Sequence, residues 1–455
     1  MTDPSPEPVP EKRRVPIPTG RELIARVPAV ELLLQRSAEA GLSLDGVWLV
    51  GGAVRDAIMV GDGMPTPVFD IDLAVEGEGT TFAELLASAL GGDVVAEHRF
   101  GTATVLAPFV QGAPPMRIDV ASCRTETYPE GGALPEVTLG ATIRDDLARR
   151  DITANAIAVP LVPDAAGEYE IVDPFNGMID IFTRLVRVLH DASFLDDPTR
   201  IMRVARYSGR LRFPVDPVTR QLAVDAVAAG AIGTISADRM RQELELVLEE
   251  AAWDALTLLA AWGVLDTLDP RLEESFRLPF LIMRLDEACE GNVDLNRRVW
   301  KMRLGALTKG LGDDVIGWLR WLGFPGDVIA EVDGHVRLLR FIERAGDDIL
   351  TLANSDLYLE LGEVEDDSFA LAALAEDRLP NFARLDAYRI ALRDTALTVR
   401  GEDVIAAGVP AGPAVGRILG TLFLRALDGE LTGVDAERAA LAELAAAAVA
   451  ADDEE

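Results

Sequence analysis

The spacing of apolar residues changes character along the chain. Residues 21–40 carry them at three- and four-residue intervals and stop at Gly41, which predicts a helix. Residues 47–50, Val-Trp-Leu-Val, are a short apolar run closed by Gly51 and Gly52, with a helical stretch AVRDAIMV after them. Residues 69–75 alternate with period two and predict a strand, as do 92–96, 102–107, 117–121 and 156–160, with a helix at 81–90. Strands and helices thus mix up to about residue 160, the pattern of an α/β or α+β unit. From residue 191 onward the pattern is helical, through 201–211, 239–250, 253–262 and 278–287. Loops are predicted at 323–326, 379–380 and 408–413, and an Ala-rich helix with an acidic end closes the chain. No repeat of fixed period is present.

A length of 455 residues predicts two to four domains with real apolar cores. Two cysteines, Cys123 and Cys289, cannot build a disulfide framework and have no metal-ligand spacing, which points to a reducing compartment. The first residues are Pro-rich and charged, and no segment offers eighteen uninterrupted apolar residues. A cytoplasmic, soluble protein with a disordered leader over 1–20 is expected.

Charge complicates the assignment of partners. Forty-three basic residues stand against 76 acidic ones, a formal charge of −33, and that balance alone argues against nucleic acid. Binding, however, depends on where the cations lie. All the cations but Lys12, Lys301 and Lys309 are arginines, and several cluster at Arg149-Arg150 and from Arg184 to Arg212. The arginine fork suits phosphate and base edges better than a lysine ammonium, so a local basic channel on an acidic body is compatible with the composition.

The chemistry concentrates in GGAVRD, Gly51 to Asp56, followed by Asp70-Ile71-Asp72. On a strand, residues two apart face one side, so Asp70 and Asp72 converge, and neighbouring carboxylates call for a cation such as Mg²⁺. Gly51 and Gly52 stand where a strand turns into a helix, which lets backbone N–H groups approach a phosphate, and Arg55 lies one turn further in. Each motif alone also fits an ordinary surface strand or turn; in this order they reinforce one another. Asp119, in Met116-Arg-Ile-Asp-Val120, adds a third strand carboxylate that could assist an attacking hydroxyl if its strand neighbours the first, or be an edge-strand aspartate if not.

These residues sit in a longer ordered series: LVGGAVRD, DIDLAV, IDVASCRTETY, DDLARRDITANAIAV, IVDPFNGMIDI, DDPTRIMRVARYSGRLRF and ISADRMRQELELVL. The series, covering roughly residues 45 to 250, resembles the class II tRNA nucleotidyltransferase and bacterial poly(A) polymerase family; RGEDVIAAGVPAGPAVGRILGTLF resembles its RNA-binding tail, less specifically. The resemblance implies an α+β fold, with a polymerase-beta-like head (mixed sheet with helices) over 21–160. An all-α remainder follows: a neck with a nucleotide-selecting helix over 161–235, a body over 236–345 and an RNA-binding tail over 346–455. It implies template-independent transfer of CMP and/or AMP from CTP or ATP to a tRNA 3′ end, with release of pyrophosphate.

By the same resemblance Gly51, Gly52 and Arg55 hold the triphosphate, Asp70 and Asp72 the metals in a two-metal mechanism, and Asp119 joins the catalytic cluster. Arg150, Asp151 and Asn155 match the motif that contacts the sugar and phosphates. Asp197 and Arg200 match the nucleotide-selecting motif, in which Asp196 stands where Glu is usual. Read as helical neighbours three apart, they offer an acceptor and a forked donor on one face, suited to cytosine or adenine; alternatively they are a helix cap and an intrahelical arginine. Arg203, Arg206 and Arg210 continue a basic stripe toward phosphates or the RNA end.

Residues 128–137 depart from the Arg-His-Pro-rich loop of CCA-adding members, leaving CCA, CC-only and A-only addition open. Two rivals remain, a bacterial poly(A) polymerase and a non-catalytic RNA-binding protein on the same fold. The acidic end, Ala-Asp-Asp-Glu-Glu, weighs against the first, and the intact Arg55, Asp70 and Asp72 weigh against the second.

Overall fold

The computed structural model describes residues 17–61, 70–98, 100–108, 114–129, 131–132, 134–250, 252–277, 280–289, 293–362, 364–375 and 379–452. The chain forms two compact units, residues 1–236 and 237–455. Residues 1–16 of the predicted leader, and Phe69 of the predicted strand, lie outside the described residues.

The first unit opens with α1 (Gly20–Ala25) and α2 (Pro28–Ala40). One helix was expected here, and Pro28 divides it, because proline lacks the N–H that a helix interior needs and fits only a first turn. Thr19 and Glu22 close a reciprocal capping box that starts α1. The central sheet is built from β1 (Val47–Val50), β2 (Asp70–Val75), β3 (Asp93–His98), β4 (Thr102–Ala107), β5 (Met116–Ser122) and β8 (Ala158–Pro160), in the order β3-β4-β5-β2-β1-β8. Only the β2–β5 pair is parallel, so the sheet is mixed. Leu49, Ile71, Leu73, Ile118 and Val120 are buried in it, each contributing about 1.5–3 kcal/mol of apolar burial. Helices α3 (Gly52–Gly61) and α4 (Gly79–Leu90) follow β1 and β2 directly.

Sequence patterning missed a two-stranded ribbon, β6 (Arg124–Thr127) and β7 (Glu136–Leu139), whose strands are four residues long and largely polar. Beyond it come α5 (Ile143–Ala148), α6 (Gly177–Thr183), α7 (Ser193–Asp196), α8 (Thr199–Leu211) and α9 (Pro217–Ala228). The expected head and neck lie in one unit. Backbone bridges Ile152–Val188 and Ala158–Val172 and the Arg203–Asp151 ion pair tie them together.

Among its described residues the second unit has only helices, from Ala237–Glu249 to Val434–Asp452. Leu338, Phe341, Leu357, Leu361 and Tyr388 centre one of its cores, and Val404, Ile418, Leu422 and Leu441 another. Leu379-Pro380, expected as a loop, instead begins the helix Leu379–Asp394, where proline is tolerated. Among the described residues no helix is long and apolar enough to cross a membrane.

Candidate active site

The site begins at the end of β1. Gly51 holds φ at +69°, a left-handed conformation open to glycine at little cost, and swings the chain from Val50 into α3. A methyl group on Gly51 would stand 3.1 Å from Asp72 Oδ2 and 3.1 Å from Arg150 Nη1. The turn is therefore wedged between a carboxylate and a guanidinium. Asp72 lies opposite Val50 on one side and opposite Asp119 on the other, in the parallel β2–β5 register. The sheet thus delivers the adjacency of the Asp72 and Asp119 strands on which a carboxylate cluster depends. The backbone of Asp70 pairs with Arg117, and the Asp70 side chain lies outside the described residues.

Asp119 is half-buried and accepts from Thr104 Oγ1 at 2.6 Å and from Arg117 Nε at 2.9 Å. Among the described residues no three His, Cys, Asp or Glu side chains group as a metal site. The Asp72–Asp119 pair nonetheless has the donor chemistry of a Mg²⁺ site, which takes one or two carboxylates and completes its shell with phosphate oxygens and water.

Beneath the turn runs a buried polar chain. Arg55, 2% exposed, donates from Nε to Asp56 and from Nη1 to Asn155 Oδ1, both at 2.8 Å. Its Nη2 lies 3.4 Å from the place a Cβ on Gly52 would take. Asn155 Nδ2 donates to Asp151 Oδ1, whose partner Oδ2 accepts from Arg203 Nε and Nη2 at 2.9 and 2.6 Å. Burial pushes the Asp151 carboxyl up, but the Arg203 charge and the donors Arg203, Asn155 and Ile152 outweigh it and hold the carboxyl well below the usual range. Arg150 donates to the Asn155 carbonyl and to Asp146. The guanidiniums of Arg55 and Arg206 stand over the Tyr207 ring at 5.8 and 4.8 Å from its centroid, and burial raises its phenol.

Asp197 and Arg200 are arranged differently from the helical pair that their spacing suggests. Asp197 lies outside the helix, at φ −133° and ψ 97°, because Pro198 disfavours helical geometry in the residue before it. Its Oδ1 accepts from Thr199 N–H and Oγ1, a capping arrangement. Arg200, 4% exposed, donates to the Arg149 carbonyl at 2.8 Å and lies over the Tyr128 ring. Tyr128 in turn donates to Glu126, which also accepts from Arg124 and Arg149.

Patterning thus overlooked Asp56, Thr104, Glu126, Tyr128, Asp146 and Tyr207. Each except Thr104 stands inside one of the quoted motifs, so the signal was present without an assignment.

The profile of the poly A polymerase head domain matches residues 47–187. The CC-adding tRNA nucleotidyltransferase of Deinococcus radiodurans is 32% identical over 394 residues, 86% of this chain and 88% of that protein. The chain belongs to the tRNA nucleotidyltransferase family. Another member, the A-adding tRNA nucleotidyltransferase of Geobacter sulfurreducens, is 31% identical over 414 residues, 86% of this chain. The chain spans 44% of that relative's length and 53% of the A-adding enzyme of Halalkalibacterium halodurans. Among solved structures, a CCA-adding enzyme in complex with ATP is 26% identical with a TM-score of 0.67, covering 94% of this chain and 99% of its own. The matched head span holds the Gly51 turn, the aspartates and the Arg150–Asn155 segment. Arg200, Arg203 and Arg206 come from α8, beyond that span.

Proposed function

We propose that this chain transfers CMP and/or AMP from CTP or ATP to the 3′ end of tRNA and releases pyrophosphate. The observation that carries this reading is the Gly51 turn, where an added Cβ would stand 3.1 Å from both the Asp72 carboxylate and the Arg150 guanidinium. A triphosphate seated there meets the N-terminus of α3 and a cation, with carboxylates alongside. Asp70 and Asp72 would hold Mg²⁺, with Asp119 beside them, and bound Mg²⁺ neutralises phosphate charge and favours the ionised attacking hydroxyl. Thr104 and Arg117 fix Asp119; Arg55, Asn155, Asp151 and Arg203 brace the floor under the nucleotide; Asp197 and Arg200 face base selection. The named activities of the relatives, A-adding and CC-adding, favour a tRNA acceptor end over other RNA.

The test is incorporation by the full chain, with Mg²⁺ and each nucleoside triphosphate, on tRNA transcripts lacking CCA, ending in CC, or complete. AMP only onto CC-ended tRNA marks A-addition, CMP only marks CC-addition, and both in order mark CCA-addition. Long A tails on unrelated RNA would replace this reading with a poly(A) polymerase, and no incorporation on any RNA would end it.

A further inference from the structure

Asp151 and Asn155, which hold Arg203 and Arg55, are carried by a segment whose regular structure is the 3₁₀ turn Thr153–Asn155. Its own backbone hydrogen bonds, Asn155 N–H to Ile152 and Ala156 N–H to Thr153, close a structure too short to be stable without outside contacts. Thr153 is where those contacts converge. It is 2% exposed, and each of its polar groups is engaged. The N–H donates to the Arg187 carbonyl at 2.9 Å, the hydroxyl donates to Asp180 Oδ2 at 2.6 Å, and the carbonyl accepts from Ala156.

The partners of Thr153 are fixed in their turn. Asp180, 4% exposed and on α6, also accepts from Arg187 Nε at 3.1 Å, and Arg187 Nη1 pairs with Asp216 at 3.1 Å. α6 begins flush against the turn, because a Cβ on Gly177 would stand 2.1 Å from the Thr153 carbonyl oxygen. Asp173 holds that end of the helix, its two carboxylate oxygens accepting from Gly177 N–H and Met178 N–H. A hydroxyl bonded to a carboxylate at 2.6 Å is a short, charge-assisted contact, and the Thr153–Asp180 bond is the side-chain link between this anchored helix and the turn.

We infer that Thr153 and Asp180 are positioning residues for the nucleotide: their hydrogen bond sets where Asp151 and Asn155 stand and, through them, Arg203 and Arg55. This rests on the function proposed above. The competing explanation is a buried hydrogen bond that stabilises the fold and does nothing more.

Thr153→Val, which removes the hydroxyl at nearly constant volume, and Thr153→Ser, which keeps it, separate the two. KM for ATP and CTP and KM for a tRNA transcript are measured on the full chain with Mg²⁺, alongside thermal unfolding. Nucleotide affinity is read independently of turnover, by competition with a fluorescent ATP analogue. The inference expects Thr153→Val to raise the nucleotide KM and weaken nucleotide binding about tenfold with the tRNA KM unchanged, and Thr153→Ser to stay close to wild type. A purely stabilising role lowers the melting temperature and the active fraction, hence kcat, and leaves nucleotide affinity and both KM values at wild type; that result overturns the inference. An equal rise in both KM values overturns it as well. Should Thr153→Val not fold, Thr153→Ala, which places no methyl group against Asp180, carries the same expectations and the same refutation. Wild-type protein that neither binds nor incorporates nucleotide would instead overturn the proposed function.

Discussion

At the scale of single residues, the site depends on positions that tolerate only one kind of side chain. Gly51 combines a left-handed φ with surroundings in which an added Cβ would stand 3.1 Å from Asp72 and from Arg150. Gly51→Ala should lose about 1–2 kcal/mol in urea unfolding and lower turnover as the carboxylate is displaced. Gly52, at the start of α3 with only ordinary contacts to Arg55, should accept alanine within about 0.5 kcal/mol. Equal costs for the two would contradict the tight turn. Asp70→Ala and Asp72→Ala should abolish nucleotide incorporation while circular dichroism and melting temperature stay near wild type; near-normal turnover in either refutes the metal assignment.

Elements decide how those residues meet. The β6–β7 ribbon reaches α8 through Tyr128, whose ring lies under Arg200 and whose hydroxyl holds Glu126. Gly131 lies close against the Leu195 carbonyl of α7, and Gly132 close against Thr234. Tyr128→Ala should therefore free Arg200 and blur discrimination among the four nucleoside triphosphates, whereas Tyr128→Phe, which keeps the ring, should change it far less. Competition assays with mixed triphosphates read this directly, and an unchanged profile in Tyr128→Ala would dissociate the ribbon from base choice. At the same scale, the period-two alternation announced β2 and β5, but the β6–β7 ribbon was illegible. Short polar strands carry no apolar alternation, and their stability comes from pairing and from anchors that are distant in sequence.

For the molecule as a whole, one buried group through which pH acts on the second unit is a histidine. His335 is fully buried, hydrogen-bonded through Nδ1 to Ser368 Oγ at 2.7 Å, and packed against Gly305. Burial, aided by the Lys301 charge, pushes its pKa down to about 4, with Glu331 3.9 Å from Nε2. A folded-state value below the unfolded one means that the unfolded chain takes up the proton first. Stability is then complete above about pH 6.5 and falls by up to about 3 kcal/mol as pH drops toward 4. The chain has only three histidines, at 98, 190 and 335, so imidazole NMR resolves them; titration of His335 near 6.5 would contradict this account.

The sequence by itself determined the change from mixed strands and helices to helices alone, the strands of the central sheet, the positions of Gly51, Asp70 and Asp72, and the family, because local periodicity and contiguous motifs survive in one dimension. Tertiary structure decided what each polar side chain touches. Arg55 became a buried brace through Asn155, a hundred residues away, and Asp197 left its expected helix because of Pro198. Asp119 gained its place opposite Asp72 only through the parallel pairing of β2 with β5. Such contacts follow from sheet register and packing between distant segments, which the spacing of residues along a chain does not encode.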